Sequence, residues 1–463
     1  MENYSEKLLV IGAGPCGLGV AKALKESGIS YTQAEADDNV GGNWYHGVYE
    51  TAHIISSRKT TEYADFPMPE NYPDFPSQKQ MADYYSLYAD TFGLRESIEF
   101  NTKVVMCRPL SDERWEVELS FEFRVHAVEK PSKDGTQNKT EKRIYKGVIV
   151  CNGHHWDKRF PEFAGEFTGE LMHSKDFKKP EQLFNKRILV VGGGNSACDV
   201  VSEAARVGKE AHLSLRRGYW FLPKTLFGQP SAESAAIYFP VFLQRFMVKL
   251  LLKIVIGKYQ DYGLPQPDHK LFEHHPTVSS EILHYLKHGR IKAHKDIKKL
   301  DGKTVEFVDG ERIEVDTIVC ATGYFVSFPF LPENLVPVKN GNIAQLYAGS
   351  VLPDYKNLYI FGTQQVRYGV GPLITPAAKL LAKMIKMQDE MELPIGLVLK
   401  ESGAKLPETH LVDPIASLRR MKIANWTLPL LLRKEKKMRK KFRGKTDVIK
   451  DLSFRTDADM RVY

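Results

Sequence analysis

Two short, uninterrupted apolar runs along the chain each lead into glycines and then into a helical stretch. Lys7-Leu8-Leu9-Val10-Ile11 runs into Gly12-Ala13-Gly14-Pro15-Cys16-Gly17, with a helix predicted over Leu18 to Ser27. Arg187-Ile188-Leu189-Val190-Val191 runs into Gly192-Gly193-Gly194-Asn195-Ser196-Ala197, with a helix over Cys198 to Val207. Continuous apolar runs of this length suit strands buried on both faces of a parallel sheet, and their alternation with helices makes βαβ units. The pattern predicts an α/β fold with two dinucleotide-binding, Rossmann-like domains, the second inserted in the first.

Other segments fill in the plan. Ser77 to Phe92 reads as an amphipathic helix, and Val104 to Val125 and Lys142 to Cys151 as strands around a polar hairpin, Glu129 to Glu141. Pro67, Pro69, Pro73 and Pro76 mark a rigid loop. Tyr219 to Gly289 has no place in a minimal nucleotide fold and predicts a mostly helical insertion. Ile318 to Tyr324 and Leu358 to Gly362 read as strands ending in glycine turns, and Pro376 to Gln388 as a helix. The expected division is 1–165 for the first part of the first domain, 166–317 for the second domain with its insertion at about 219–289, 318–432 for the rest of the first, and 433–463 for a tail.

Composition narrows the class. With 463 residues, 43% hydrophobic and 26% charged, the chain is long enough for two packing units and excludes disorder, collagen and small disulfide scaffolds. Its net charge of +8 invites a nucleic-acid reading, but Arg433 to Lys445 alone carries 9 basic residues against Glu435, and the remainder balances at 56 against 56. No DNA- or RNA-reading motif accompanies that run. Five scattered cysteines argue against a disulfide framework or a redox dithiol, and no His or Cys spacing suggests a metal. The N-terminus lacks a cleavable leader pattern and no apolar run reaches spanning length, so the expected location is cytoplasmic.

The candidate chemistry sits in the glycine loops. Gly12 permits the tight turn, Gly14 lets backbone approach a pyrophosphate and Gly17 lets helix and strand pack, while the helix N-terminus supplies N–H donors. Glu35, closing the next strand, is placed to accept from ribose hydroxyls; Asp37 and Asp38 are its rivals. The second loop uses Gly192, Gly194 and Ala197, with Asn195 and Ser196 opening its helix. Its next strand ends in Arg216-Arg217 instead of an acid, which suits the 2′-phosphate of NADPH. Arg216 is the favoured ligand and Lys224 a helper. Two such sites point to FAD in the first and NADPH in the second, with electrons passing to something other than a dithiol.

Phe167-Thr168-Gly169-Glu170-Leu171-Met172-His173-Ser174-Lys175-Asp176-Phe177 resembles the FxGxxxHxxx(Y/F) fingerprint of flavin-containing monooxygenases. Gly41-Gly42-Asn43-Trp44, Tyr63-Ala64-Asp65-Phe66-Pro67, Asp74-Phe75-Pro76-Ser77 and Ala321-Thr322-Gly323-Tyr324 follow the family's order, so the resemblance spans about Lys7 to Lys386. It implies that Gly42, Trp44, Gly362 and Gln364 lie near the flavin and that His173 bonds within the linker between domains. His154 and His155 read as loop residues. The family's N-x-x-K segment is represented by Ser56-Ser57-Arg58-Lys59, making Ser56 and Lys59 the catalytic candidates, with Ser56 in the Asn position. Phe177, where Baeyer–Villiger relatives carry Trp, favours oxygenation of nitrogen or sulfur.

The resemblance further implies that NADPH and O2 form a C4a-hydroperoxyflavin that oxygenates an amine nitrogen or a sulfide sulfur of a small organic substrate. Baeyer–Villiger oxygenation or a poorly coupled NADPH oxidase stays open on the same scaffold, as does, more remotely, a non-catalytic redox-sensing flavoprotein. In the insertion, Arg245, Lys249 and Lys253 recur at four-residue spacing opposite a broad apolar arc. The first expectation is a cap helix with a solvated cationic stripe, the second a peripheral membrane contact or lipophilic entrance. The tail, Asn425 to Leu432 and the basic run, carries the same alternatives. The oligomeric state stays open, a dimer included.

Overall fold

A computed structural model describes residues 3–121 and 139–442. The first domain is built on an all-parallel sheet with strand order Leu358–Ile360, Gly147–Val150, Leu8–Ile11, Tyr31–Ala34, Ile98–Glu99. Alternation decides what each strand residue meets. Leu8, Val10 and Ile149 face the helices Pro15–Glu26 and Gly371–Asp389, whereas Leu9, Ile11, Val148 and Val150 face an antiparallel sheet of Thr102–Pro109, Trp115–Phe121 and Lys139–Tyr145. The strand expected over Val104 to Val125 is therefore two strands around a turn in which Leu110 N–H bonds Arg114 O. The expected hairpin at Glu129 to Glu141 lies largely outside the described residues.

The second domain repeats the plan, with parallel order Glu170–His173, Thr317–Cys320, Arg187–Val191, Glu210–Ser214, Ile291–His294. Thr317–Cys320 pairs on both edges inside this sheet, so the chain returns to the first domain after Cys320 and not before Ile318. His173 closes the double crossing: its Nε2 lies 3.1 Å from Gly323 O, and its Nδ1 accepts from Lys175 N–H.

The insertion is less helical than its pattern suggests. Its centre is the helix Val241–Val255, but short strand pairs and single turns occupy most of the rest. Prolines and glycines recur too often for longer helices, among them Pro223, Gly228, Pro230, Gly257, Gly263, Pro265 and Pro267. The helix leaves its apolar arc uncovered, against the first expectation, while Lys249 and Lys253 stay exposed as that expectation has them. Arg245 points inward, its Nε donating to Leu271 O at 2.7 Å, and Lys249 lies along the Trp220 ring. Phe242, Phe246, Leu250 and Ile254 are exposed by 74%, 66%, 52% and 75%.

The basic segment is not a separate tail as far as Phe442. It completes one helix, Pro414–Phe442, that packs on Gly371–Asp389 and Ile395–Glu401. Glu435, the one acid in the run, is buried and accepts from Glu392 and Leu393 N–H. Among the described residues no helix is long and apolar enough to cross a membrane.

Candidate active site

Each glycine loop opens at the carboxyl end of its sheet, onto a helix whose first N–H groups no side chain caps. In the first loop Gly12 has φ +97°, and a Cβ there would stand 2.7 Å from Cys151 O. A Cβ on Gly17 would stand 1.9 Å from Gly12 O, so this glycine is demanded by the chain itself. Gly14 differs, because its Cβ would meet only Gly42, at 3.6 Å. Gly14 and Gly42 thus face each other as two bare backbones beside the helix N-terminus, a cradle that fits a pyrophosphate.

Glu35 is buried at the rim of this cradle, its carboxylate accepting from Ala13 and Asp37 N–H. Burial pushes its pKa up, and these backbone donors oppose that. Trp44 sits in the turn Gly42–Trp44, anchored by Gln78 Nε2 on its carbonyl. Gly362, at φ +84°, packs so tightly on Cys16 that a Cβ would lie 2.5 Å from Sγ. That places Gly362 at the N-terminus of the first helix, with Gln364 two residues on. His154 follows the strand Gly147–Val150 and holds Gly362 O at 3.0 Å through Nδ1. His155, His275 and His410 lie around it, and burial followed by mutual repulsion keeps His155 and His410 uncharged, His410 down to about 4. His275 also leads by Thr277 Oγ1 to Gly193 O, 2.6 Å away in the second loop. The cluster thus reaches Gly362 beside the first loop, and Thr277, two residues beyond His275, reaches the second.

In the second loop a Cβ on Gly194 would meet nothing within 4 Å, leaving open space above the helix N-terminus. Asn195 Oδ1 is taken by Val278 N–H at 2.7 Å. Tyr49 of the first domain donates to Asp199 at 2.6 Å in the first turns of this helix; Ser196 is also in contact with the phenol. Arg216 is exposed and makes no hydrogen bond or ion pair among the described residues. Arg217 stacks over Tyr219. Lys224 is not at the arginine pair as expected. It bonds His53 of the first domain and lies beside Asp199; burial lowers its pKa and the Asp199 carboxylate opposes that.

The two catalytic candidates have other partners. Ser56 Oγ is 2.6 Å from Thr61 Oγ1, and Lys59, with its side chain 66% exposed, pairs with Glu233 of the insertion at 3.4 Å. Neither bonds a residue of either glycine loop among the described residues. Tyr49 and Asp199 escaped the sequence reading because a phenol and a carboxylate so far apart in the chain form no pattern. The fingerprint does touch the site: Lys175 Nζ donates to Asn43 Oδ1 at 3.0 Å, and Phe177 packs on Tyr49.

Two dinucleotide loops on two tied parallel-sheet domains define a class, the flavoprotein oxidoreductases that serve two nucleotide cofactors. The family model described as "Flavin-binding monooxygenase-like" matches residues 5–387. Flavin-containing monooxygenase 5 of Oryctolagus cuniculus is 30% identical over 439 residues, which is 88% of this chain and 79% of that protein. The fold is shared with S-allyl-L-cysteine S-oxygenase from Allium sativum, at TM-score 0.62 and 20% identity over 94% of this chain and 93% of that one. It is shared as well with OTEMO in complex with FAD and NADP, at TM-score 0.64 and 19% identity over 84% and 85%. The chain belongs to the flavin-binding monooxygenase-like family and is a flavin-dependent oxidoreductase.

Proposed function

We propose that the protein is an NADPH- and O2-dependent monooxygenase that oxygenates an amine nitrogen or a sulfide sulfur of a small organic substrate. FAD belongs in the first loop and NADPH in the second. The observation that carries this reading is the pairing of two uncapped, glycine-cleared helix N-termini with opposite strand ends, Glu35 at one and Arg216 at the other. A carboxylate accepts from free ribose hydroxyls, whereas a guanidinium pairs with a 2′-phosphate.

Bound FAD, reduced by NADPH, supplies the oxygen-transfer chemistry. The chain's residues bind, align and enclose. Gly14, Gly42 and the helix at Pro15 hold one pyrophosphate, and Gly194, Asn195 and Ser196 the other. Gly362 and Gln364, with His154 behind them, form the wall beside the first helix. The histidine cluster presents uncharged rings, which suits a neutral, soft nucleophile and keeps bulk water from the reacting atoms. Ser56 and Lys59 serve this reading as positioning residues at and within the helical turn Arg58–Thr61 before Tyr63, consistent with their Thr61 and Glu233 partners.

Anaerobic NADPH is expected to bleach the yellow protein, and admission of air with a thioether or tertiary amine to yield one sulfoxide or N-oxide per NADPH. Failure to bleach would defeat the enzyme reading. Oxygen consumption without product would make it an oxidase, and ester formation from a ketone would make it a Baeyer–Villiger enzyme. We also assign the exposed Phe242, Phe246, Leu250 and Ile254 stripe, bordered by Lys249 and Lys253, to peripheral contact with an anionic lipid surface.

A further inference from the structure

The insertion roofs the second nucleotide loop and brings to the arginine pair a side chain that lies far from it in the sequence. The Tyr219 ring covers Gly193 so closely that a Cβ there would stand 2.4 Å from two ring carbons. The Arg217 guanidinium lies over the same ring, 5.5 Å from its centroid. Its Nη1 donates to His274 Nε2 at 3.4 Å, and His269 meets His274 edge-on at 4.9 Å. Arg216, the next residue, projects unpaired.

The Arg217 guanidinium and an imidazole therefore meet just beyond the strand Glu210–Ser214, next in the chain to the exposed Arg216, where a Rossmann fold meets the adenosine ribose. In the free protein Arg217 uses a neutral imidazole as its acceptor. A phosphate is a stronger acceptor for a guanidinium, and once Arg217 turns to it the freed imidazole nitrogen can take a proton and donate as well.

We infer that His274 is a specificity-determining ligand of the NADPH 2′-phosphate, acting with Arg216 and Arg217. The inference rests on the assignment of the second loop to NADPH. In the free protein burial, Arg217 and His269 hold the His274 imidazole below its ordinary range, while Glu273 and Asp268 pull it upward. These are the charged groups that face it. A 2′-phosphate with close to two negative charges raises it, so binding takes up a proton. Affinity for the 2′-phosphate is then full below the lowered value of the free protein, falls as pH climbs from there, and has lost this contribution above the raised value in the complex.

Calorimetric titration of the flavin-loaded protein with 2′,5′-ADP and with 5′-ADP, at about pH 6.5 and about pH 8.5, tests this without turnover. His274→Gln changes an exposed side chain and is expected to weaken 2′,5′-ADP about tenfold at the lower pH, the size of one charge-assisted hydrogen bond. It leaves 5′-ADP binding as it was. The ligand phosphate's own ionisation is common to both proteins, so the pH slope lost in the variant belongs to His274. Arg216→Ala separates the two levels of the argument. An unchanged ratio of 2′,5′-ADP to 5′-ADP affinity in that variant overturns the site assignment. A collapsed ratio there, with none of the loss in His274→Gln, overturns the role of His274 alone.

Discussion

Gly17 and Gly194 are small for different reasons, and the difference is measurable. Gly17 is demanded by its own chain, since a methyl would sit 1.9 Å from Gly12 O. Gly194 has an ordinary φ of −82° and nothing within 4 Å of the would-be Cβ, so alanine there is free of steric cost to the protein. Under the proposed reading this open space takes the NADPH pyrophosphate. Gly194→Ala is expected to keep the parent's melting temperature and flavin absorbance while weakening NADP⁺ at least about tenfold. Equal NADP⁺ affinity in a fluorescence titration would mean that the pyrophosphate lies elsewhere. Glycines of this kind were legible in the sequence because the backbone geometry they serve is local. Lys224 was not: its partner His53 lies 171 residues away, and no strand-end pattern shows that the side chain turns toward it.

At the scale of elements, spacing tells which residues share a helix face but not which face turns inward. For Val241–Val255 the cation spacing pointed to a solvated stripe, which Lys249 and Lys253 form, but the apolar arc is uncovered too, because the helix is fixed by Gln244. Its amide donates to Ile237 O and Phe239 O, and its carbonyl accepts from Arg367 and Tyr368 more than a hundred residues on. Arg367 also pairs with Asp413 at the start of the C-terminal helix, so the anchoring of the two helices is shared. On that second helix Trp426 is 83% exposed, ahead of the basic run. An apolar stripe edged by ammonium groups binds lipid through buried area and attraction to anionic headgroups together. In flotation assays the protein is expected to rise with phosphatidylserine vesicles and far less with phosphatidylcholine ones. Phe242→Asp combined with Phe246→Asp changes only exposed side chains and should abolish flotation with the flavin retained. Equal flotation of parent and variant would remove this helix from the contact.

For the molecule as a whole, the order of the two nucleotide units could be read from the chain, but the way one is held against the other could not. That register is made by side chains with no sequence relation. Tyr49 of the first domain donates to Asp199 and touches Ser196, both on the helix that follows the second glycine loop. Lys224 and His53 bond each other beside the same carboxylate. Burial raises the Asp199 pKa, and the phenol opposes that rise. A folded-state carboxyl pKa above its unfolded value means that stability declines as pH rises through that interval, because the folded form is the one holding the proton. Tyr49→Phe removes the opposing hydrogen bond and lifts the pKa further. Parent and variant are then expected to melt alike where Asp199 is protonated in both, and the variant to fall behind as pH rises above that range. With NADPH in the second loop, as proposed, the phenol would align that loop without meeting the cofactor's charge, so the rate of flavin reduction at saturating NADPH should drop about tenfold with little change in NADPH affinity. Stopped-flow reduction and thermal melting across the pH range test both halves. A variant that loses NADPH affinity instead, or whose deficit does not change with pH, would show that Tyr49 does not set the register between the domains.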